Sequence, residues 1–302
     1  MNALINQPLS IVTAKAQTTR HRILGILSEP SYQAIFLDTP GIMDDARNEL
    51  DERMMESVKV AVSDADALLA IVDATKNPVN ELAMIKPGKE WSGPPLAILL
   101  NKIDALGGTG SGSGGGEKVE ELVHWYRDNA GCSTTNNNNN NNSDDSDSDR
   151  ITVIAISALE RQGLDQVSRW VEKHLPLGQS LYPKEFVSEA SERFFVSEIL
   201  RKHIFLHYQQ EIPYSVAVEV ADFKERKGNK CYISVNIFVE HDRQKGIIIG
   251  KGGLALKNLA SEARVEIEEF LGRKVYMEVK VKVAEGWRKD PQQLERLGYH
   301  HK

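Results

Sequence analysis

Leu96–Asp104 reads LAILLNKID. Five apolar residues in a row, with no alternation, describe a strand buried on both faces, and such strands belong to parallel sheets covered by helices. The segment Asn101-Lys102-Ile103-Asp104 then falls at the C-terminal end of that strand, where open α/β sheets place their ligand sites. Similar runs occur at Ala67–Val72 and Ile151–Ile156, with helical patterns between the runs. Arg22–Leu27 and Tyr32–Asp38 flank Ser28, Pro30 and Ser31 and predict a hairpin. Glu49–Ala65 predicts a helix with Leu50, Met54, Val58 and Val62 along one face. The expected fold class is α/β, a mostly parallel sheet with helices on both faces.

The strand-end rule directs attention to four places. In Asn101-Lys102-Ile103-Asp104, the Asp104 carboxylate can accept two hydrogen bonds from the ring N–H and exocyclic amine of guanine. Adenine offers neither donor, and a desolvated carboxylate left unpaired costs several kcal/mol. The Lys102 stem can cover the base plane, and the backbone N–H around Ser157-Ala158 can reach the guanine carbonyl. Asp38-Thr39-Pro40-Gly41 follows the strand ending at Leu37; there Asp38 can hold a Mg²⁺ ion and Gly41 can let a backbone N–H approach a terminal phosphate. Taken alone, D-x-x-G equally describes an ordinary turn. Upstream, Lys15–His21 contains Gln17, Thr18 and Thr19, and a threonine hydroxyl such as that of Thr19 can complete a Mg²⁺ shell, making this a switch segment; the alternative is a solvated loop. Ile42, next in the chain, has no polar group with which to orient a water molecule.

Beyond a Pro/Gly-rich stretch at Leu177–Glu185, the pattern is helix (Ser191–His207), strands (Tyr214–Val220, Tyr232–Phe238), helix, glycine loop, helix (Leu254–Phe270) and strand (Val275–Val283). The last strand alternates apolar and polar residues with period two. Gly250-Lys251-Gly252-Gly253 fits a GXXG loop that clamps about four single-stranded nucleotides, with Lys251 and Lys257 adding charge and the next helix its N-terminal dipole. A glycine turn between two packed helices is the alternative. The expected division is a nucleotide-binding domain over 1–177 and an RNA-binding domain over 183–299. Two low-complexity inserts interrupt the first, over 107–116 (Gly/Ser) and 133–149, which carries seven consecutive asparagines.

Composition agrees with a globular chain of two domains: 302 residues, 41% hydrophobic and 26% charged. The net charge of −6 hides an asymmetry. Residues 180–302 carry 21 Lys+Arg against 18 Asp+Glu, and the remainder 16 against 25, so nucleic acid would dock on the second half. Cys132 and Cys231 lie too far apart for a disulfide framework. The eight histidines are read as showing no ligand spacing, with His300 and His301 a solvated terminus. No apolar run approaches the ~20 residues of a membrane span. The asparagine tract suggests a eukaryotic source.

KAQTTRHRI, YQAIFLDTPGI, NKID and ISAL, taken in order, resemble the GTPase domain of the Era family, and PYSVAVEV, IIIGKGG and WRKDPQQLERLGY resemble its second domain, of the type II KH fold. The resemblance spans nearly the whole chain except the inserts. It implies GTP/GDP and Mg²⁺ as ligands, a role in small ribosomal subunit assembly, and binding of the small-subunit rRNA near its 3′ end by a monomer. With a eukaryotic source it implies an organelle, chloroplast or mitochondrion; otherwise the cytoplasm. The departure is equally plain, for no G-x-x-x-x-G-K-[ST] occurs in these residues. In the family that loop stands just before the segment matching Met1–Asn6, which reads as the tail of a helix already under way. An upstream segment is therefore expected, a chain with a degenerate nucleotide site being the alternative, and neighbouring strand edges should be left unpaired.

Overall fold

The computed structural model describes residues 1–43, 45–85, 91–107, 115–131 and 150–299. Cys132, the 133–149 tract, most of the 107–116 insert and His300–His301 lie outside the described residues.

The first half runs α1 (Asn2–Ile5), β1 (Ile23–Ser28), β2 (Gln33–Asp38), α2 (Glu49–Asp64), β3 (Leu68–Asp73), α3 (Pro78–Ile85), β4 (Leu96–Asn101), α4 (Gly115–Asn129), β5 (Ile151–Ala155) and α5 (Leu164–His174). Strands β3, β4 and β5 form a parallel sheet with β4 at its centre. Leu96 to Leu100 are buried at every position because alternate residues enter different cores. Leu96, Ile98 and Leu100 pack with Tyr126 and Ala130 at the α4 end, while Ala97 and Leu99 pack with Val167, Trp170 and Val171 of α5. Strands β1 and β2 pair as the expected antiparallel hairpin, but as a sheet of their own. The first half therefore has two sheets among the described residues, joined by side chains and not by a hydrogen-bond ladder. Ala34 and Phe36 of β2 share one apolar cluster with Leu69, Ala97 and Leu99. Gly25 of β1 lets α1 approach, since a Cβ there would lie 2.3 Å from Ile5 Cδ1.

Helix α2 starts where Asn48 caps the Asp51 N–H, at 3.1 Å, and carries Glu49, Asp51 and Glu52 in its first turn, favourable for the helix dipole. Its buried face differs from the expected one. Leu50 and Met54 are buried, Val58 is half-buried, Ala61 is buried and Val62 is exposed. A strict series of fourth residues drifts about 40° per step on a helix of 3.6 residues per turn, so the third step from Leu50 leaves the core and Ala61 replaces it.

The second half runs α6 (Glu192–His207), α7 (Ile212–Ser215), β6 (Ala217–Arg226), β7 (Lys230–Val239), α8 (Asp242–Ile249), α9 (Leu254–Leu271), β8 (Lys274–Val283) and α10 (Pro291–Arg296). Strand β7 is central, antiparallel to β6 and parallel to β8. The strand expected from Tyr214 begins instead at Ala217. Pro213 sits in the first turn of α7, where its missing N–H costs nothing, and claims Tyr214 for the helix. Val196, Leu200 and Ile204 of α6 and Leu259, Ala263 and Ile267 of α9 cover one face of the sheet, against Ile233, Val235 and Ile237. In β8 the period-two reading holds: Val275, Met277, Val279, Val281 and Val283 face that core, and Tyr276 is exposed.

The stretch between α5 and α6 has no helix or strand and lies along the hairpin. Ile26 N–H donates to the Val187 carbonyl at 2.8 Å, and the Gln33 side chain accepts from the Leu181 and Tyr182 N–H groups. The halves also share a core, in which Trp287, Leu294 and Tyr299 are buried against Leu50 and Met54 of α2.

Candidate functional site

The end of β4 and the turn after β5 are tied together by side chains from the two motifs that the sequence singles out. Asn101 Oδ1 accepts from the Ala158 N–H at 3.0 Å, and the Ser157 hydroxyl donates to Asp104 Oδ1 at 2.6 Å. Ser157 is fully buried and its oxygen also accepts from the Glu160 N–H, so it has little freedom to release Asp104. One carboxylate oxygen of Asp104 is thus fixed by protein. Two acceptor lobes of the group suffice for the paired donors of a guanine edge. Lys102 adopts a left-handed backbone (φ 70°, ψ 32°), which carries the chain from β4 into the short turn Ile103–Leu106. Its ammonium donates to Asp73 Oδ2 at 2.6 Å, from the end of the neighbouring strand β3. Burial alone would raise the Asp73 pKa, but the Lys102 and Thr75 hydrogen bonds hold it below the ordinary carboxylate value. The Lys102 stem is thereby stretched between two strand ends and remains exposed, available to lie along a flat ring.

The second group of sequence candidates sits at the end of β2. Asp38 accepts from the Ser10 hydroxyl, and the Ser10 and Leu9 N–H groups are in turn held by Asn2 Oδ1. Burial pushes the Asp38 carboxyl up from its ordinary value, against the Ser10 hydrogen bond and the nearby terminal ammonium. Such a carboxylate gains most from a cation placed beside it. Thr39 is half-buried, Pro40 is buried, Gly41 and Ile42 are exposed, and the space over Gly41 is open. No hydrogen bond among the described residues joins Thr18 or Thr19 to Asp38; the Thr18 hydroxyl donates to the Ile11 carbonyl at 3.4 Å. The residues present fit the base end of a guanine nucleotide. Asp38, Gly41 and the threonine hydroxyls are the groups that would meet its phosphates, and no phosphate-loop motif with its lysine occurs in these residues.

The segment around Gln17–Thr19 is anchored to the second half, a feature that the sequence reading did not foresee. Lys15 Nζ donates to the Phe205 and Tyr208 carbonyls at the C-terminal end of α6. Arg20, buried, donates to the carbonyls of Val216 (2.6 Å), Pro213 (3.1 Å) and Tyr214 (2.8 Å) around α7. His21 stacks on Tyr299 with ring centroids 4.4 Å apart. Five carbonyls of one half thus face two cations of the other. No local pattern around residues 15–21 signals this, because all the acceptors are backbone groups about 190 residues away.

The glycine loop joins α8 to α9. Gly250 has φ 70° and ψ 178°, and a Cβ there would come within 2.6 Å of Ala255 Cβ, so only glycine fits. Gly252 (φ 60°) and Gly253 (φ 78°) are left-handed as well, but with open space around them. Helix α9 has no side-chain cap at its N-terminus, leaving its first N–H groups directed outward beside the exposed Lys251, with Lys257 exposed on the same helix. The loop is braced from beneath by the Tyr208 hydroxyl, which donates to the Ile248 carbonyl at 2.8 Å. Ile247 and Leu254 flank it with 46% and 62% of their surface exposed, apolar shelves against which unstacked bases can lie. Of the run Ile247-Ile248-Ile249, Ile248 is fully buried, Ile249 half-buried and Ile247 exposed.

Comparison with known proteins agrees with both halves. Residues 1–102 match the family model described as 50S ribosome-binding GTPase, and residues 211–288 match that of the KH domain. The chain is 44% identical over 301 residues to a protein named GTPase ERA1, chloroplastic, of Zea mays, covering 99% of this chain and 66% of the relative. It is 35% identical over 300 residues to GTPase Era of Geobacter metallireducens, covering 99% of this chain and 92% of the relative. Among solved structures, Era in complex with MgGDPNP and nucleotides 1506–1542 of 16S ribosomal RNA superposes with a TM-score of 0.85 at 31% identity, over 99% of this chain and 93% of that one.

Proposed function

The chain belongs to the Era GTPase family, a GTPase domain followed by a KH domain, and on that footing we propose that it serves as a guanine-nucleotide-dependent factor that binds small-subunit rRNA and acts in small ribosomal subunit assembly. The observation that carries the reading is the paired clasp Asn101–Ala158 and Ser157–Asp104, which presents one carboxylate for guanine at the sheet's C-terminal edge. In this reading Asn101, Lys102, Asp104, Ser157 and Ala158 hold the base. Asp38, Thr39, Pro40 and Gly41 face the phosphates, Asp38 and Thr19 take Mg²⁺, and Gln17–Thr19 form the switch. Gly250, Lys251, Gly252, Gly253 and Lys257 hold the RNA backbone; the solved complex of Era with 16S ribosomal RNA supports RNA binding as such. The domains extend over 1–177 and 183–299, and the protein acts as a monomer in an organelle. The plant relatives, whose names place them in the chloroplast, favour that compartment.

A second reading, an RNA-binding protein that needs no nucleotide, draws on the absence of a phosphate-loop motif from these 302 residues. Titration with fluorescent GTP separates the two. The 302-residue chain alone should bind weakly, and fusing the strand and phosphate loop of a curated Era relative ahead of Met1 should restore tight binding. In the fused protein Asp104→Asn should turn preference from guanine to xanthine, because an amide can donate to xanthine's additional carbonyl. Full GTP preference in that variant would overturn the assignment of the clasp, and RNA affinity indifferent to GTP in the fused protein would favour the second reading.

A further inference from the structure

His203 and His207 stand four residues apart on one face of α6, and Glu262 of α9 faces them. This corrects the reading that the histidines lack ligand spacing: the sequence HIFLH places two imidazoles one helical turn apart. One ligand atom from each of the three residues lies within 4.8 Å of the others. The hydrogen bonds explain which atoms are available. His203 Nε2 is paired with Glu266 Oε2 at 3.0 Å, and Glu266 is held from its other oxygen by Lys202 Nζ at 2.8 Å. A ring that gives its Nε2 proton to a carboxylate keeps a lone pair on Nδ1. That Nδ1 is buried without a hydrogen-bond partner among the described residues, in a side chain 9% exposed, and it lies 3.9 Å from Glu262 Oε2. His207 Nε2 sits 2.8 Å from the same oxygen. A buried acceptor facing a second nitrogen and a carboxylate, with no donor to satisfy it, asks for an electrophile.

We propose that His203, His207 and Glu262 form a site for a Zn²⁺-class transition-metal ion that ties α6 to α9 in the KH half, with Glu266 as the positioning residue. Two imidazoles and one carboxylate suit a borderline ion of this class. A metal–nitrogen distance of about 2.0 Å implies ligand atoms about 3.3 Å apart in a tetrahedron. Reaching that spacing from the present arrangement takes side-chain rotation by His207 and Glu262, both partly exposed, with the ion replacing the proton they now share. Glu266 supplies the carboxylate–imidazole bond that fixes the tautomer and ring orientation of a metal-bound histidine. The C-terminal turn of α6 adds the negative end of its dipole, and the Phe205 and Tyr208 carbonyls of that turn already hold the Lys15 ammonium. Three protein ligands leave a fourth position for water or a ligand from solution.

The test uses the 302-residue chain carrying His300→Ala and His301→Ala, so that the terminal pair contributes nothing. Co²⁺ is titrated by its visible absorption, then displaced with Zn²⁺. One Co²⁺ per chain is expected, with a melting temperature that rises with metal concentration. His207→Asn and Glu262→Gln, both at partly exposed positions, should abolish the saturable signal while leaving the circular dichroism unchanged. Glu266→Gln should keep the one-to-one stoichiometry but weaken affinity about 10–100-fold, the scale of a lost partner behind a metal ligand. Co²⁺ affinity equal in the parent and in His207→Asn overturns the site, as does a melting temperature that metal raises equally in both. Unchanged affinity in Glu266→Gln removes the positioning role.

Discussion

Converting Lys251 and Gly252 together to aspartate tests the glycine loop as an RNA clamp. Both positions are exposed, and a Cβ on Gly252 meets nothing within 4 Å, so the fold should survive. The cost to folding is the left-handed backbone at Gly252 (φ 60°, ψ 19°), about 1–2 kcal/mol for an L-residue and least for Asp and Asn. The cost to binding is larger. The double change alters the loop's charge by three: one favourable contact is lost and two repulsive ones appear. At about 1 kcal/mol per unit pair 4 Å apart in water, that amounts to about 3 kcal/mol, or roughly 100-fold in affinity. Losing the one Lys251–phosphate contact should also flatten the salt dependence by about 0.7 in the slope of log K against log salt, the value for one single-stranded phosphate. The assay is fluorescence anisotropy with labelled single-stranded RNA from the 3′ end of small-subunit rRNA, at about 50 mM and about 200 mM salt. Circular dichroism serves as the folding control, and Lys227→Asp at the β6–β7 turn as the charge control. A folded double variant with the parent's affinity and salt slope would falsify the clamp and leave the loop as a helix connector.

Two further perturbations test buried charges, one between the halves and one within α6. Arg20→Met should strand the Pro213, Tyr214 and Val216 carbonyls, at about 1–3 kcal/mol for each left unsatisfied. Amide hydrogen exchange should then accelerate over residues 14–21 while protection of β7 persists; unchanged exchange would show that the segment is held by something else. Glu198→Gln should destabilise the protein by about 3–5 kcal/mol at neutral pH, because it leaves the buried Arg201 guanidinium unpaired. Burial alone would push the Glu198 carboxyl up, but its pairing with Arg201 overrides this and holds it below the ordinary value. A depressed folded pKa stabilises above the unfolded value and is lost as pH falls through the folded one. The gap between parent and variant urea midpoints should therefore narrow in acid, and a gap constant with pH would contradict the assignment.

What the sequence made legible was whatever depends on neighbours in the chain. Leu96–Asn101 announced a doubly covered strand by its unbroken apolar run, and NKID and Ser157-Ala158 could be placed because each follows such a strand directly. The loop at Gly250–Gly253 was readable for the same reason, as its glycines answer to local backbone geometry. Illegible were the features decided by distant partners. Arg20 and Lys15 look like solvated cations until the carbonyls of α6 and α7 are set opposite them. Tyr214 looks like strand until Pro213 starts a helical turn. The His203–His207 pair was present in the sequence at a readable spacing, but the facing carboxylates of Glu262 and Glu266 lie more than fifty residues further on. The division of the first half into two sheets was equally illegible, since among the described residues β2 is linked to β3–β5 by side-chain packing alone.

The anchoring of residues 15–21 also limits how a nucleotide can influence RNA binding in this chain. A ligand shifts an equilibrium only by the difference in its affinity for two states. Any rearrangement that draws Thr18 or Thr19 toward Asp38 must stretch or break the bonds made by Lys15 and Arg20 on either side of them. Those bonds end on α6 and α7, and α6 in turn supplies Tyr208, whose hydroxyl supports the carbonyl of Ile248 just before Gly250. From Lys15 and Arg20 to the glycine loop there is therefore a series of hydrogen-bonded groups that includes one buried arginine. Spatial continuity is not itself coupling. It becomes coupling only if the Arg20 bonds differ between nucleotide states. For that reason Arg20→Met is informative beyond stability: in a chain that binds GTP, it should make RNA affinity independent of nucleotide while leaving Lys251 and its loop intact.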